Sequence, residues 1–345
     1  MFRFLSGLFA RDMGIDLGTA NVVVYQKGKG IVADEPSVIA YRKSPNTKDE
    51  IIAIGRRAKD MIGKTPQSII TLRPLRHGVI ANFDVTEAML QFYIRMVNGE
   101  RRLFAHPRVI VSVPACVTEV ERKAVIDACL GGGAREAYII EEPLAAALGA
   151  GLPIHEPKGS MVMNIGGGAT EVAVLSLGGI VESSSLRVAG DDIDEAIVEL
   201  LRQNFKMCIG EATAEEIKIS VGSACPLDEE LSIEVKGRDL SNGLPKTLVV
   251  TSSDVRIALE PLIRRMEETV RETLERTSPE LVRDIVERGI ILTGGGAMLK
   301  GLSKRLSLSL NIPVMCAEQP LYAVALGIGK VLDELEKMKR VLISI

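Results

Sequence analysis

Asp16-Leu17-Gly18-Thr19-Ala20-Asn21-Val22-Val23-Val24-Tyr25, running on through Gln26-Lys27-Gly28-Lys29-Gly30-Ile31-Val32, returns in altered form further along the chain. The second copy is Asn164-Ile165-Gly166-Gly167-Gly168-Ala169-Thr170-Glu171-Val172-Ala173-Val174-Leu175, continuing as Ser176-Leu177-Gly178-Gly179-Ile180-Val181. Each reads as a strand, a glycine turn, a second β-branched strand and another glycine turn, the pattern of a hairpin. A second pair follows in the same order. Glu141-Glu142-Pro143-Leu144-Ala145-Ala146-Ala147-Leu148-Gly149 resembles Glu318-Gln319-Pro320-Leu321-Tyr322-Ala323-Val324-Ala325-Leu326-Gly327. Both carry Pro where a first helical turn is expected, a place where its missing N–H leaves nothing unsatisfied. Short apolar strands, 137–140 and 312–316, precede them. One such pair would mean little, but two in register predict two related α/β domains.

Strand and helix patterns alternate between these landmarks. Residues 108–114 read as a strand, 118–130 as an amphipathic helix, and 289–293 as a strand leading into Gly294-Gly295-Gly296 and a helix over 298–310. Such alternation implies sheets covered by helices. Residues 33–75 and 186–250 fit neither copy and read as one insertion into each domain, with Ser241-Asn242-Gly243-Leu244-Pro245 a turn inside the second. The expected first core is 1–32, 76–145 and 317–345; the expected second core is 146–185 and 251–316.

Composition narrows the function classes. The chain has 345 residues, 46% hydrophobic and 25% charged, enough for two buried cores. Aromatics are 3% with no Trp, which leaves few stacking platforms for single-stranded nucleic acid. The net charge of −3 gives no bulk attraction to a phosphate backbone, so no nucleic-acid partner is expected. Five dispersed cysteines without a Cys-x-x-Cys pair indicate reduced thiols, and three distant histidines argue against a zinc site or a His-based triad. No apolar run is long enough to span a bilayer, and residues 1–12 are too short and interrupted for a signal peptide. A cytoplasmic protein is expected.

Three glycine-rich turns are candidates for holding phosphate. In the first, Gly18 lets the backbone approach closely, Thr19 and Asn21 supply short polar groups, and Asp16 at the strand end suits the water shell of a magnesium ion. Gly166-Gly167-Gly168 occupies the same place in the second copy. Gly294-Gly295-Gly296, between a strand and a helix, would let a flat ring or phosphate lie on the backbone. None matches G-x-x-x-x-G-K-[ST], so this is not a P-loop. Gly131-Gly132-Gly133 follows a helix and reads as its stop.

These residues, with Ala214-Glu215-Glu216-Ile217-Lys218-Ile219, Glu35-Pro36-Ser37-Val38 and Ile140-Glu141-Glu142-Pro143, resemble the MreB family of bacterial actin homologues over essentially the whole chain. The resemblance implies an actin-like α/β fold of two duplicated domains, each with a smaller inserted subdomain and with a nucleotide in the cleft between them. It implies ATP as cofactor, with GTP as the alternative, and Mg2+ held through water by Asp16. Asp16, Gly18, Thr19, Ala20 and Asn21 would meet the outer phosphates, as would Asn164, Gly166, Gly167 and Gly168, with Gly190 and Asp191 beside them. Glu215, Glu216, Ile217 and Lys218 would face ribose and base, Gly294, Gly295, Gly296 and Ala297 would line the nucleoside, and Glu142 would position the attacking water. Without the resemblance, Glu215 and Lys218 read as a solvated ion pair and Glu142 as charge compensation at a helix N-terminus.

Two departures stand out. The family's second phosphate loop usually begins with Asp and places Thr after the glycines, whereas this chain has Asn164 and Ala169. Losing one preorganised polar contact typically costs about ten- to a thousandfold in rate. Binding without rapid hydrolysis is therefore expected, and whether the chain is an ATPase stays open. Written on a helix, Met1, Phe2, Phe4, Leu5, Leu8 and Phe9 gather on one side and Arg3, Ser6, Gly7 and Ala10 on the other, with Arg11 nearby, which suits an anionic membrane surface. Leu103-Phe104 resembles the family's hydrophobic membrane loop. The resemblance further implies self-assembly into filaments on the inner face of the cell membrane and, as partners, the cell-wall elongation machinery and its membrane proteins, serving rod shape. Alternatives are a nucleotide-gated scaffold without ATPase activity, a small-molecule kinase on the same fold, and a DnaK-type chaperone, the last disfavoured because no peptide-binding domain follows.

Overall fold

The computed structural model describes residues 11–43, 50–76, 78–99 and 106–343. Its contacts divide the chain into two units, one of Met1–Lys158, Leu175–Val181 and Leu321–Ile345, the other of Gly159–Val174 and Glu182–Pro320.

In the first unit the duplicated hairpin forms β1 (Met13–Leu17), β2 (Asn21–Gln26) and β3 (Gly30–Pro36), joined by β4 (Arg108–Val113) and β5 (Glu136–Glu141). The sheet order is β3-β2-β1-β4-β5, antiparallel through the hairpin and parallel from β1 to β5. Met13, Ile15, Val109, Ile110 and Val111 are fully buried, as expected of strands with both faces covered. In the second copy β6 (Ser160–Ile165), β7 (Thr170–Ser176) and β8 (Gly179–Leu186) are joined by β9 (Ile290–Thr293) and β10 (Val314–Cys316) in the order β8-β7-β6-β9-β10. Copy by copy, the strand order is the same.

Helices form where their caps are written. Asn82 accepts a hydrogen bond from Val85 N at the start of α1 (Phe83–Asn98), and Thr118 and Glu121 form a capping box on α2 (Glu119–Gly131). Gly132 and Gly133 end α2 as the sequence predicts, with Gly133 at φ 103°. α3 (Glu142–Gly149) begins with its proline in place. The second unit contributes α4 (Gly190–Phe205), α5 (Glu211–Val221), the long α6 (Ser252–Arg276), α7 (Pro279–Arg288) and α8 (Leu302–Leu310), and the first unit α9 (Ala323–Asp333). The helix expected over 298–310 is shorter than its pattern suggested. A 3-10 turn, Gly295–Met298, comes first, and Gly301 in a left-handed conformation delays α8 until Leu302.

The insertions form small antiparallel sheets. Ile39–Arg42 pairs with Glu50–Ile54 and Ile69–Leu72 over a minor core of Val38, Ala40, Ala53 and Ala58. Met207–Cys208, Ser232–Asp239 and Pro245–Thr251 form the other sheet. Its turn is closed by Asp239 accepting from Ser241 N and Asn242 from Leu244 N, the local bonding that makes Asp and Asn turn residues.

Two devices lock the helices. Within the first unit, the duplicated helices α3 and α9 cross backbone to backbone. A Cβ on Gly149 would lie 1.7 Å from Ala323 O, and one on Gly327 would lie 1.8 Å from Ala145 O. The glycines that end the two related motifs are thus each other's clearance. Helix C-termini are also capped by distant cations, which satisfy orphan carbonyls and oppose the helix dipole. Lys330 Nζ reaches Leu148 O at 2.7 Å, Lys27 Nζ reaches Leu332 O at 2.6 Å, Lys246 Nζ reaches Phe205 O at 2.8 Å and Lys300 Nζ reaches Ile219 O at 2.8 Å; Arg271 bonds Ser309 O in the same way.

Candidate nucleotide site

The first glycine turn closes with Gly18 N donating to Asn21 O at 3.1 Å. Thr19 is buried, and its hydroxyl accepts from Gly78 N at 3.3 Å. Asn21 Nδ2 donates to Asp34 Oδ1 at 3.0 Å, and the other oxygen of Asp34 accepts from Tyr322 OH at 3.0 Å. The amide is therefore oriented, with one of its two N–H hydrogens still to place. Asp16 accepts from Ser112 Oγ at 2.8 Å, and burial pushes its carboxyl up to about 6 against the pull of that bond. Glu142 is the first residue of α3 and half-buried. Beside it burial raises Glu141, with Arg122 at 3.7 Å pulling the other way.

The second turn closes identically, with Gly166 N donating to Ala169 O at 3.0 Å. The N-terminus of α4 is bound to it: Gly190 N donates to Gly166 O at 3.1 Å and Asp191 N to Gly167 O at 2.8 Å. Lys218 on α5 bonds Gly190 O at 3.0 Å and Asp194 Oδ2 at 2.7 Å. Asn164 is buried in the sheet, where its Oδ1 accepts the Thr293 hydroxyl at 3.1 Å. Thr293 leads into Gly294, which adopts φ 80° with its position against Ile165 O and Asn164 leaving no room for a Cβ. Lys300 and the bridge between Ser223 and Lys300 fasten the turn after Gly294 to the end of α5.

The second unit by itself therefore brings together Asn164, the Gly166–Gly168 turn, Gly190, Asp191, Lys218 and the Gly294 turn. Ile217 is fully buried in the core, so its side chain packs α5 rather than facing a ligand; Glu216 is exposed and Ala297 buried. Phe2, Phe4, Leu5, Leu8, Phe9, Leu103 and Phe104 lie outside the described residues. Sequence reasoning missed four residues that hold the site's side chains. Ser112 is a polar interruption in an apolar strand, Thr293 is the last residue before three glycines, and Asp194 falls one helical turn after Gly190. Asp34 gave no such signal.

Among the described residues no cluster of three or more His, Cys, Asp or Glu could hold a metal ion. Asp16 nonetheless fits a hard cation, because its half-buried carboxylate is only partly compensated by one hydroxyl. A magnesium ion there would take the rest of its shell from water and phosphate oxygens.

The two sheets with one shared strand order define an actin-like protein. The MreB/Mbl protein family matches residues 10–340, and the chain belongs to that family. It is 49% identical over 337 residues to the cell shape-determining protein MreB of Escherichia coli K12, covering 97% of each chain. To the cell shape-determining protein Mbl of Bacillus subtilis 168 it is 46% identical, covering 96% of this chain and 99% of the relative. The crystal structure of MreB5 of Spiroplasma citri bound to ADP superposes with a TM-score of 0.90 at 35% identity, covering 96% of this chain and 98% of that one. A MamK double helical filament shares the fold with a TM-score of 0.78 at 21% identity, over 93% and 98% of the two chains.

Proposed function

We propose that this chain binds ATP with Mg2+, polymerises with copies of itself, and works as a membrane-associated cytoskeletal filament that directs cell-wall synthesis for rod shape. The observation that carries this reading is the unit-two assembly: a glycine turn fastened to a helix N-terminus, with Lys218 and a second glycine turn beside it. The glycine turn lets backbone approach a phosphate closely, and the positive end of α4 lies behind it. Relatives support it, since MreB5 of Spiroplasma citri was crystallised with ADP and with AMPPNP. Isothermal titration with MgATP, followed by sedimentation and electron microscopy on lipid monolayers with and without nucleotide, tests it. Micromolar ATP binding and ATP-dependent filaments on lipid are expected; a chain that binds neither nucleotide nor lipid and stays monomeric at high concentration overturns it. Removing residues 2–9 should release unpolymerised protein from liposomes.

A second reading, a nucleotide-gated scaffold with slow or no hydrolysis, is favoured by Asn164 and Ala169. Asn164 contributes an amide whose oxygen already accepts a hydroxyl, and Ala169 contributes no polar side chain. Phosphate release at an ordinary ATPase rate from polymerised protein would exclude this version while leaving the filament intact.

A further inference from the structure

Lys218 carries three donor hydrogens and no acceptor. Two are committed inside the protein, to Asp194 Oδ2 at 2.7 Å and to Gly190 O at 3.0 Å. Gly190 and Asp194 lie one turn apart on α4, so one face of that helix holds the ammonium in a fixed place. The same helix end donates from Gly190 and Asp191 to the glycine turn. Lys218 is thus fixed relative to Gly166 and Gly167 rather than swinging on a flexible stem. The pair is mostly withdrawn from water, with side chains 20% and 13% exposed. Asp194 Oδ1 is buried with no hydrogen-bond partner. A pair this desolvated and this incompletely bonded is a weak stabiliser, and stability alone is a poor reason for its arrangement.

We propose that Asp194 is a positioning residue of the nucleotide site, holding Lys218 against Gly190 with a single hydrogen left for the ligand and cancelling its charge. This rests on the reading that the chain binds ATP. A neutral pair attracts an anion weakly and offers one directed donor to an uncharged acceptor. Lys218 therefore recognises the nucleoside part of the ligand, and Asp194 keeps it from acting as a general cation for phosphate. Without Asp194 the lysine becomes an unbalanced charge on a mobile stem, and the preference moves from nucleoside towards phosphate.

The test compares MgATP with magnesium tripolyphosphate, which has the tail but no nucleoside, on the full chain by titration calorimetry. Asp194→Asn is expected to weaken ATP about tenfold, a typical effect of losing one charge-assisted contact, while tripolyphosphate binds as before or tighter. Asp194→Glu, which keeps the charge one methylene further out, should recover part of the ATP affinity. Lys218→Ala should weaken ATP similarly, and the double variant should be no worse than either single one. Equal weakening of both ligands would show a merely structural role and overturn the proposal, as would ATP binding within twofold of wild type in both Asp194 variants. If Asp194→Asn loses its fold by circular dichroism, Asp194→Glu against Lys218→Ala decides by the same criterion. A wild-type chain that binds no ATP overturns both this and the parent reading; a wild-type chain that binds ATP with indifferent variants sinks this proposal alone.

Discussion

The two copies of the hairpin share a turn and differ in charge. Gly18 N to Asn21 O and Gly166 N to Ala169 O are the same hydrogen bond at 3.1 and 3.0 Å. The last-but-one residue of the first strand is Asp16 in one copy and Asn164 in the other, and the residue that closes the turn is Asn21 in one and Ala169 in the other. Backbone geometry has been kept where side-chain chemistry has not. The first turn presents a half-buried carboxylate and an oriented amide. The second presents neutral surroundings and hands its polar work to α4 and Lys218. A duplicated fold therefore need not repeat its side-chain chemistry, because a turn constrains only its backbone.

The largest expected effect lies where the two related helices touch, in the α3–α9 crossing of the first unit. Gly149→Ala or Gly327→Ala would place a methyl within 2 Å of a backbone carbonyl on the other helix. Neither carbonyl can step aside without moving its helix. Each substitution should cost about 3 kcal/mol or more, the upper end of overpacking, read as a large fall in the denaturation midpoint. Gly210→Ala, with nothing within 4 Å, is the control and should change stability little. Comparable midpoints for all three would mean that the reciprocal crossing is not what holds the helices.

The asymmetry itself can be broken by Asn164→Asp, which makes the second strand end like the first. The new carboxylate would be buried, with the Thr293 hydroxyl as its donor. Without ligand it should destabilise the chain by about 2–3 kcal/mol at neutral pH, as a charge placed in a buried site does. MgATP should restore more stability to the variant than to wild type, and phosphate release should rise about tenfold or more. Unchanged melting and unchanged phosphate release would show that the charge difference between the copies does not matter.

Much of the fold was legible in the chain, and the reason is physical. Alternation of β-branched residues, prolines at helix starts and glycines at turns act over a few neighbouring positions, so both hairpins and the first strand–helix ending are legible directly; at the second, Pro320 opens a 3-10 turn and α9 begins only at Ala323. α8 starts four residues later than the expected 298 because the left-handed conformation of Gly301 breaks the helix there. Positions of glycine turns were legible for the same local reason. What holds their neighbours was not: Asp34 meets Asn21 from across a strand pair, and Asp194 meets Lys218 from another helix. Such contacts depend on tertiary packing, which one sequence does not display residue by residue.

The charged pair in the second unit gives the comparison a pH dependence. Burial pushes Asp194 up to about 6, with Lys218 on α5 pulling it down and Glu215 on α5 and Asp191 on α4 pushing it further up. Its ordinary value is 3.8, so between about 4 and 6 the folded chain holds a proton that the unfolded chain has lost. The sign follows: this group's contribution to stability is present below pH 4 and is lost as pH rises through 6. Relative to Asp194→Asn, wild type should lose about 3 kcal/mol across that window. Urea unfolding of both proteins at several pH values measures it, and parallel curves would show that Asp194 does not titrate there.

The smallest expected effect belongs to the first turn, where Asp34 collects the Asn21 amide and the Tyr322 hydroxyl on separate oxygens. The hydrogen bond to Asp34 raises the tyrosine hydroxyl above its ordinary range, so it stays a donor at any physiological pH. Tyr322→Phe removes that donor from a partly exposed site where water can replace it, at a cost of about 0.5–1 kcal/mol. The more telling readout is nucleotide affinity. If Tyr322 merely fastens the start of α9, ATP binding is untouched. If Asp34 needs both donors to hold Asn21 in its orientation, affinity falls severalfold with little change in melting, and the first turn depends on its surroundings as much as the second depends on Lys218 and Asp194.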